Sequence, residues 1–185
     1  MMKTFYFLIF LMLAATVIAF GISQQAQSSH DNSLVEYDSD DYYIDYEEDS
    51  LSEQEQCLVE TIYFEARGEP FLGQVAVGVV VMRRVQSPDY PNDICSVVHA
   101  GKYWKGNPVR NQCAFSYYCD GKSETMNNPD GFYTAQEAAR LVLMGVVVDN
   151  MEEVVYYHAT YVQPSWALHK QKAFQIGKHI FYKEK

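Results

Sequence analysis

The chain has 185 residues, 48% of them hydrophobic and 15% aromatic, and a formal net charge of −10. That length holds one ordinary domain of ~100–150 residues plus appendages, and the apolar content suffices for a real core. The negative balance excludes nucleic acid as a partner, because phosphate binding needs clustered lysine and arginine.

In chain order, the N-terminus opens with a single lysine ahead of an uncharged apolar run from Phe5 to Ile22. This is the pattern of a secretory signal, with Ala19 and Gly21 as small residues for cleavage after Gly21. The run is also long enough for an uncleaved anchor, since a spanning helix needs only ~17 residues. Residues 1–22 therefore read as a signal peptide or N-terminal anchor. Either reading predicts export, to the periplasm or cell envelope, with the membrane touched only through this segment. Residues 23–50 follow as an acidic, disordered linker. From Asp31 to Asp49 it holds nine acidic residues and no basic one, whereas Leu51 to Lys185 carries 15 acids against 13 bases. The acidity thus belongs to a segment that repels itself and lacks aliphatic residues for a core. Its tyrosines, Tyr37, Tyr42, Tyr43 and Tyr46, offer a binding tail as the alternative.

Residues 51–185 form the predicted folded domain. Export favours disulfides among Cys57, Cys95, Cys113 and Cys119, with the pairing left open among three possibilities. Ser52 and Glu55 have capping-box spacing, so a helix starts there and runs until Gly68 and Pro70 stop it. Leu58, Ile62 and Glu65 share one face of it. Phe71 to Val85 is apolar nearly all round. Its six valines permit a strand, but its length favours a buried helix. Gln86 to Phe132 is read as loop-rich, with turn signals in PDYPND, GKYWKGNP and NNPDG. A further helix is expected from Thr134, where Thr134 and Glu137 repeat the capping-box spacing, to about Gly145. Val154–Tyr157 and His179–Tyr182 read as short strands. The expected fold class is α+β, mainly helical with a small β element.

The chemistry centres on Glu65, which occupies a leucine-like position on the buried stripe of the first helix. A carboxyl deprived of water holds its proton more tightly and suits general acid catalysis. The competing reading is a structural ion pair with Arg67 or another cation. Glu69, four residues on, has a helix-end structural role as its simpler reading. His158 and His179 lie in strand-like segments, and with Glu65 they offer a His/His/Glu metal scheme. No HExxH spacing accompanies them, and hydrogen-bonded core histidines are the simpler reading, so no metal and no cofactor is expected. His30, His99 and His169 form no comparable pattern. Trp166 and Trp104, with the many tyrosines, suit a saccharide groove, because aromatic rings stack on sugar faces. Nucleophile-elbow, phosphate-loop and dinucleotide fingerprints are absent from the sequence.

The blocks IYFEARGEPFLGQVAVGVVVMRRV, YPNDICSVV, CAFSYYCDG, YYHATYVQPSWA and IGKHIFY, in that order, resemble the SleB-type cell-wall hydrolases, which include spore cortex-lytic enzymes. The resemblance runs from about Cys57 to Tyr182. It implies a compact lysozyme-like α+β domain that cuts the glycan strand of peptidoglycan between N-acetylmuramic acid and N-acetylglucosamine. The first glutamate of EARGEP, Glu65, is the family's catalytic acid, which matches the lytic transglycosylase scheme in which one carboxyl serves as acid and then base. Glu69, Tyr117, Tyr157, His158, Trp166 and His179 are the expected substrate-binding residues. Asp120 and Asp130 are candidates for a second carboxylate, with loop solvation as their simpler role. The expected partner is the peptidoglycan strand, acted on by a monomer. Two departures stand out. Arg83 replaces the asparagine that many members carry before the arginine of their NRV triplet, and the tandem peptidoglycan-binding repeats of some spore enzymes are missing, which argues against a spore-specific role. The rivals are a metal-assisted N-acetylmuramoyl-L-alanine amidase using His158 and His179, and a non-catalytic glycan-binding envelope protein.

Overall fold

A computed structural model describes residues 50–146 and 148–184. The signal or anchor segment and nearly all of the acidic linker lie outside the described residues. No helix among those described is long and apolar enough to cross a membrane.

Helix α1 spans Glu53–Ala66 and begins with the expected capping box. The Glu55 amide donates to Ser52 Oγ at 3.3 Å and the Ser52 amide to Glu55 Oε2 at 2.8 Å, so two otherwise orphaned amides are satisfied. Its inner face, with Leu58, Ile62 and Tyr63, has no solvent exposure. Helix α2, Phe71–Gln86, settles the helix-or-strand choice for the valine run. Gly73 through Val81 are all buried, because α1, a later helix and the sheet enclose this helix on several sides. Gly78 is what lets the helices approach. A β-carbon there would stand 2.9 Å from both Ile62 Cδ1 and Val142 Cγ2.

A short helix α3, Ile94–Val98, sits inside the stretch expected to be loop. Asp93 caps it through the Ser96 amide at 2.8 Å. The Cys57–Cys95 disulfide ties it to α1, and the second disulfide joins Cys113 to Cys119. The same stretch also contains an antiparallel hairpin, β1 (Gly101–Trp104) and β2 (Asn107–Cys113), followed by a 3-10 turn at Ser116–Cys119.

Helix α4, Pro129–Leu143, starts five residues before the expected Thr134. The NNPDG motif is its beginning, not a free turn. Asn128 caps through the Gly131 amide and Pro129 supplies the first helical residue, where its missing N–H costs nothing. Thr134 instead donates its hydroxyl to the Gly131 carbonyl at 3.1 Å.

The C-terminal part is a three-stranded antiparallel sheet in the order β3 (Val154–Ala159), β5 (His179–Lys183), β4 (Gln171–Ile176). Strands β3 and β5 match the expected segments. Strand β4 is not among the expected segments, because in QKAFQI only Phe174 and Ile176 alternate as larger apolar residues. Alternation along β3 sends Tyr157 to the helix-facing side, where it meets Phe181 and His179, and sends Tyr156 and His158 to the other side with Tyr182 and Trp166. Arg84, from the last turn of α2, is buried and donates Nε to the Val155 carbonyl at 2.9 Å, with its guanidinium over Tyr90 and Phe115. Arg83 faces outward enough for Nη1 to reach Gln86 at 3.3 Å. Arg83 and Arg84, though adjacent, thus make separate contacts.

Candidate active site

Glu65 lies in the last turn of α1, where the stripe of Leu58 and Ile62 emerges from the core. Its side chain is half-buried. Two hydroxyls address it: Tyr157 Oη donates to Oε2 at 3.2 Å, and Ser116 Oγ to Oε1 at 3.4 Å. The ion pair with Arg67 that would make Glu65 a structural residue is not formed, since no cation reaches it among the described residues. Arg67 instead places its guanidinium 4.8 Å from the centre of the Tyr63 ring. Burial pushes the Glu65 carboxyl above its ordinary value, and the contacts from Tyr157, Tyr117 and Ser116 offset part of that rise.

Beside Glu65 opens a cavity of ≈ 690 Å³, lined by Phe64, Arg67, Ser116, Tyr117 and Asp120, among others. Glu65 itself adjoins this lining through Phe64 and Ser116. The Tyr117 ring stacks on Phe64 at 5.0 Å, and its hydroxyl pairs with Thr61 Oγ1 at 3.1 Å, so this wall is rigid. Burial raises the Tyr117 phenol well above its ordinary value. Asp120 accepts from the Lys122 amide at 2.8 Å and pairs with Lys122 Nζ at 3.0 Å. Those bonds hold its carboxyl below the usual range, so it stays ionised. Asp130 is exposed in the first turn of α4.

The structure divides the remaining expected site residues. Tyr157 joins Glu65 directly. His179 packs against Tyr157, with ring centres 5.1 Å apart and the planes tilted by 56°; it is buried, its Nδ1 lacks a partner among the described residues, and burial lowers its pKa. Glu69 accepts the Lys178 amide at 2.7 Å and so braces the β4–β5 turn. His158 and Trp166 lie on the far face of the sheet. The two nitrogens of His158 are within 2.9 Å of the Ala159 carbonyl oxygen and of Tyr182 Oη. His158 and His179 therefore stand on opposite faces of the sheet, which separates them as ligands for one ion with Glu65. Among the described residues no group of three His, Cys, Asp or Glu is placed to hold a metal. Sequence reasoning missed Ser116 and the cavity-facing position of Arg67. The sequence left the pairing of Cys113 and Cys119 open, so the turn that their disulfide fixes around Ser116 carried no local signal.

The described residues thus form an α+β domain with a half-buried glutamate beside a cavity walled in part by aromatic rings. The family model for Cell Wall Hydrolase matches residues 68–182, and the chain belongs to that family. The match begins three residues after Glu65. The spore cortex-lytic enzyme of Bacillus subtilis (strain 168) is 34% identical over 127 residues, covering 68% of this chain and 36% of the relative. The spore cortex-lytic enzyme of Bacillus cereus is 30% identical over 131 residues, covering 69% of this chain and 43% of the relative. The chain thus spans well under half the length of either. Among solved structures, the catalytic domain of the germination-specific lytic transglycosylase SleB from Bacillus anthracis aligns with a TM-score of 0.55 at 29% identity, over 73% of this chain and 98% of that one. The catalytic domain of the Bacillus cereus SleB protein aligns with a TM-score of 0.54 at 30% identity, over 70% and 89%.

Proposed function

We propose that this protein is an exported lytic transglycosylase that cleaves peptidoglycan between N-acetylmuramic acid and N-acetylglucosamine, with Glu65 as its only essential carboxyl. The observation that carries this reading is the setting of Glu65: half-buried, held by two neutral hydroxyls, and paired with no cation among the described residues. A carboxyl so placed retains a proton to give. Protonated Glu65 donates to the glycosidic oxygen as the C1–O bond breaks. The carboxylate then takes the proton of the muramic C6 hydroxyl as that oxygen bonds to C1, closing a 1,6-anhydro ring and restoring the acid. No water is consumed.

Residues 51–185 are the catalytic domain in this reading. The apolar N-terminus delivers the chain to the periplasm or envelope, and residues 23–50 act as a spacer. Tyr157 and Ser116 orient the acid, while Tyr117 and Phe64 wall the cavity that takes the sugar. The name of the Bacillus anthracis neighbour, a germination-specific lytic transglycosylase, supports the chemistry. A hydrolase reading has one observation of its own, the ionised Asp120 in the cavity wall, since water-using glycosidases generally pair two carboxyls.

Mass spectrometry of fragments released from purified peptidoglycan tests the proposal, with Glu65→Gln alongside. Anhydromuramic ends that vanish in the variant are expected. Hydrated reducing ends would overturn the transglycosylase step and point to Asp120. Free stem peptides would mean an amidase, and an unimpaired Glu65→Gln would remove Glu65 from the mechanism.

A further inference from the structure

The β1–β2 hairpin projects from the domain with little packed on it. Every residue of β1 is exposed, and β2 exposes Asn107, Arg110, Asn111 and Gln112. An isolated two-stranded hairpin is marginal in water. This one is anchored at its base, by the Cys113–Cys119 disulfide, by Tyr103 Oη donating to the His99 carbonyl at 2.8 Å, and by Arg110 Nε donating to the Asp120 carbonyl at 3.1 Å. Its tip is the two-residue turn Lys105–Gly106, with φ of 50° and 81°, the positive pair that suits a twisted hairpin. A lysine in that region is disfavoured against glycine or asparagine, so local folding does not account for its choice. Between the pairs Gly101–Cys113 and Tyr103–Pro108 the second strand carries extra residues, and these push Arg110, Asn111 and Gln112 out of the ladder.

The side chains so displayed form one chemical set. Trp104 is 70% exposed beside the tip. Lys102, Lys105 and Arg110 share the hairpin with no acidic residue, in a domain whose balance is otherwise negative. None of the three cations forms an ion pair among the described residues. We infer that this hairpin is a docking arm for the peptidoglycan strand, with Trp104 stacking on a pyranose face and the three cations meeting stem-peptide carboxylates.

The polymer's identity rests on the proposed function; the arm's chemistry rests on the hairpin. Its location fits a strand that leaves the cavity. The chain runs from β2 directly into Ser116 and Tyr117, and Asp120, whose carbonyl Arg110 holds, lines the cavity. Asn107, Asn111 and Gln112 suit hydroxyl and acetamido groups. Their amides make a poor surface for hydrocarbon, where unpaired polar groups are costly, and this favours a glycan over a lipid membrane.

Co-sedimentation of the full chain with purified sacculi tests the arm, in the cold and across a salt series. Trp104→Ala should weaken binding about fivefold or more, the loss expected of a side chain that anchors an interface. Lys102→Gln with Lys105→Gln should weaken it at low salt and flatten its salt dependence. Unchanged melting temperatures would show that the hairpin still folds. Equal sedimentation of wild type and both variants would overturn the inference, as would binding to phosphatidylglycerol vesicles that falls with Trp104→Ala while binding to sacculi does not. Sedimentation requires no turnover. Binding through Trp104 without anhydro products would sink the function and leave a glycan-docking arm, whereas anhydro products with no effect of Trp104→Ala would do the reverse.

Discussion

Tyr157 and Glu65 lie 92 residues apart in the chain, yet Tyr157 Oη donates to Glu65 Oε2 at 3.2 Å. One residue lies in the last turn of the first helix and the other in β3, an edge strand of the sheet, so this bond ties the carboxyl to both parts of the core. It also stabilises the carboxylate form and thereby offsets some of the rise that burial imposes.

Removing that hydroxyl should separate orientation from burial. Tyr157→Phe keeps the ring against Phe181 and His179 but leaves Oε2 without its donor. The Glu65 pKa should climb further, and the alkaline limb of the pH–rate profile should move to higher pH. The rate at its optimum should fall on the order of tenfold, because the acid is less well aimed. A lower rate with an unmoved limb would mean that Tyr157 only supports packing.

Glu65→Gln makes a stability prediction with a definite sign. A folded-state pKa above the unfolded one means that protonated Glu65 favours folding at low pH, and that this contribution is lost as pH rises through the folded value. At neutral pH the raised pKa is therefore a burden, because the fold resists the ionisation that the unfolded chain allows. The glutamine variant should melt about 4 °C higher there, roughly 1 kcal/mol for a domain of this size, and its advantage should shrink as pH falls through the carboxylate range. Thermal melts at pH 4 and pH 7.5 would check it.

How far the sequence exposed this site follows from which signals are local. Glu65 was legible because a carboxyl interrupted an apolar helical stripe, and the capping box at Ser52 fixed where that stripe began. Tyr157 was legible only as part of a strand, since nothing local says which helix a strand will face. Ser116 was hidden because a 3-10 turn has no useful periodicity. The start of α4 was misplaced because two capping signals competed, and Asn128 followed by Pro129 outweighed Thr134 with Glu137. The separation of His158 from His179 depended on the pairing of Ala159 with His179, a register no single strand encodes.

The two disulfides should serve different ends. Cys57–Cys95 closes a sequence separation of 38 and joins α1 to α3 within the core. Replacing both cysteines with serine should cost roughly 3–4 kcal/mol, mostly through the freed unfolded chain. Cys113–Cys119 spans only 6 residues but fixes the turn that carries Ser116 and Tyr117. Its loss should cost about 2 kcal/mol and reduce turnover more than the melting temperature alone would suggest. Denaturant curves and rates on both double variants would show whether the effects divide this way.

Gly78 offers a test of the helix packing that sets Glu65 in place. A methyl at this position would lie 2.9 Å from Ile62 Cδ1 on α1 and Val142 Cγ2 on α4, closer than carbon atoms tolerate. Gly78→Ala would gain about 1 kcal/mol of helix propensity in an open site. Here both neighbours are themselves buried, so relief requires the helices to part, at a cost of about 1–3 kcal/mol. The expected outcome is net destabilisation, removed in part by Ile62→Val, which shortens the side chain that is struck. If Gly78→Ala raised stability, the close crossing of α1 and α2 would be wrong.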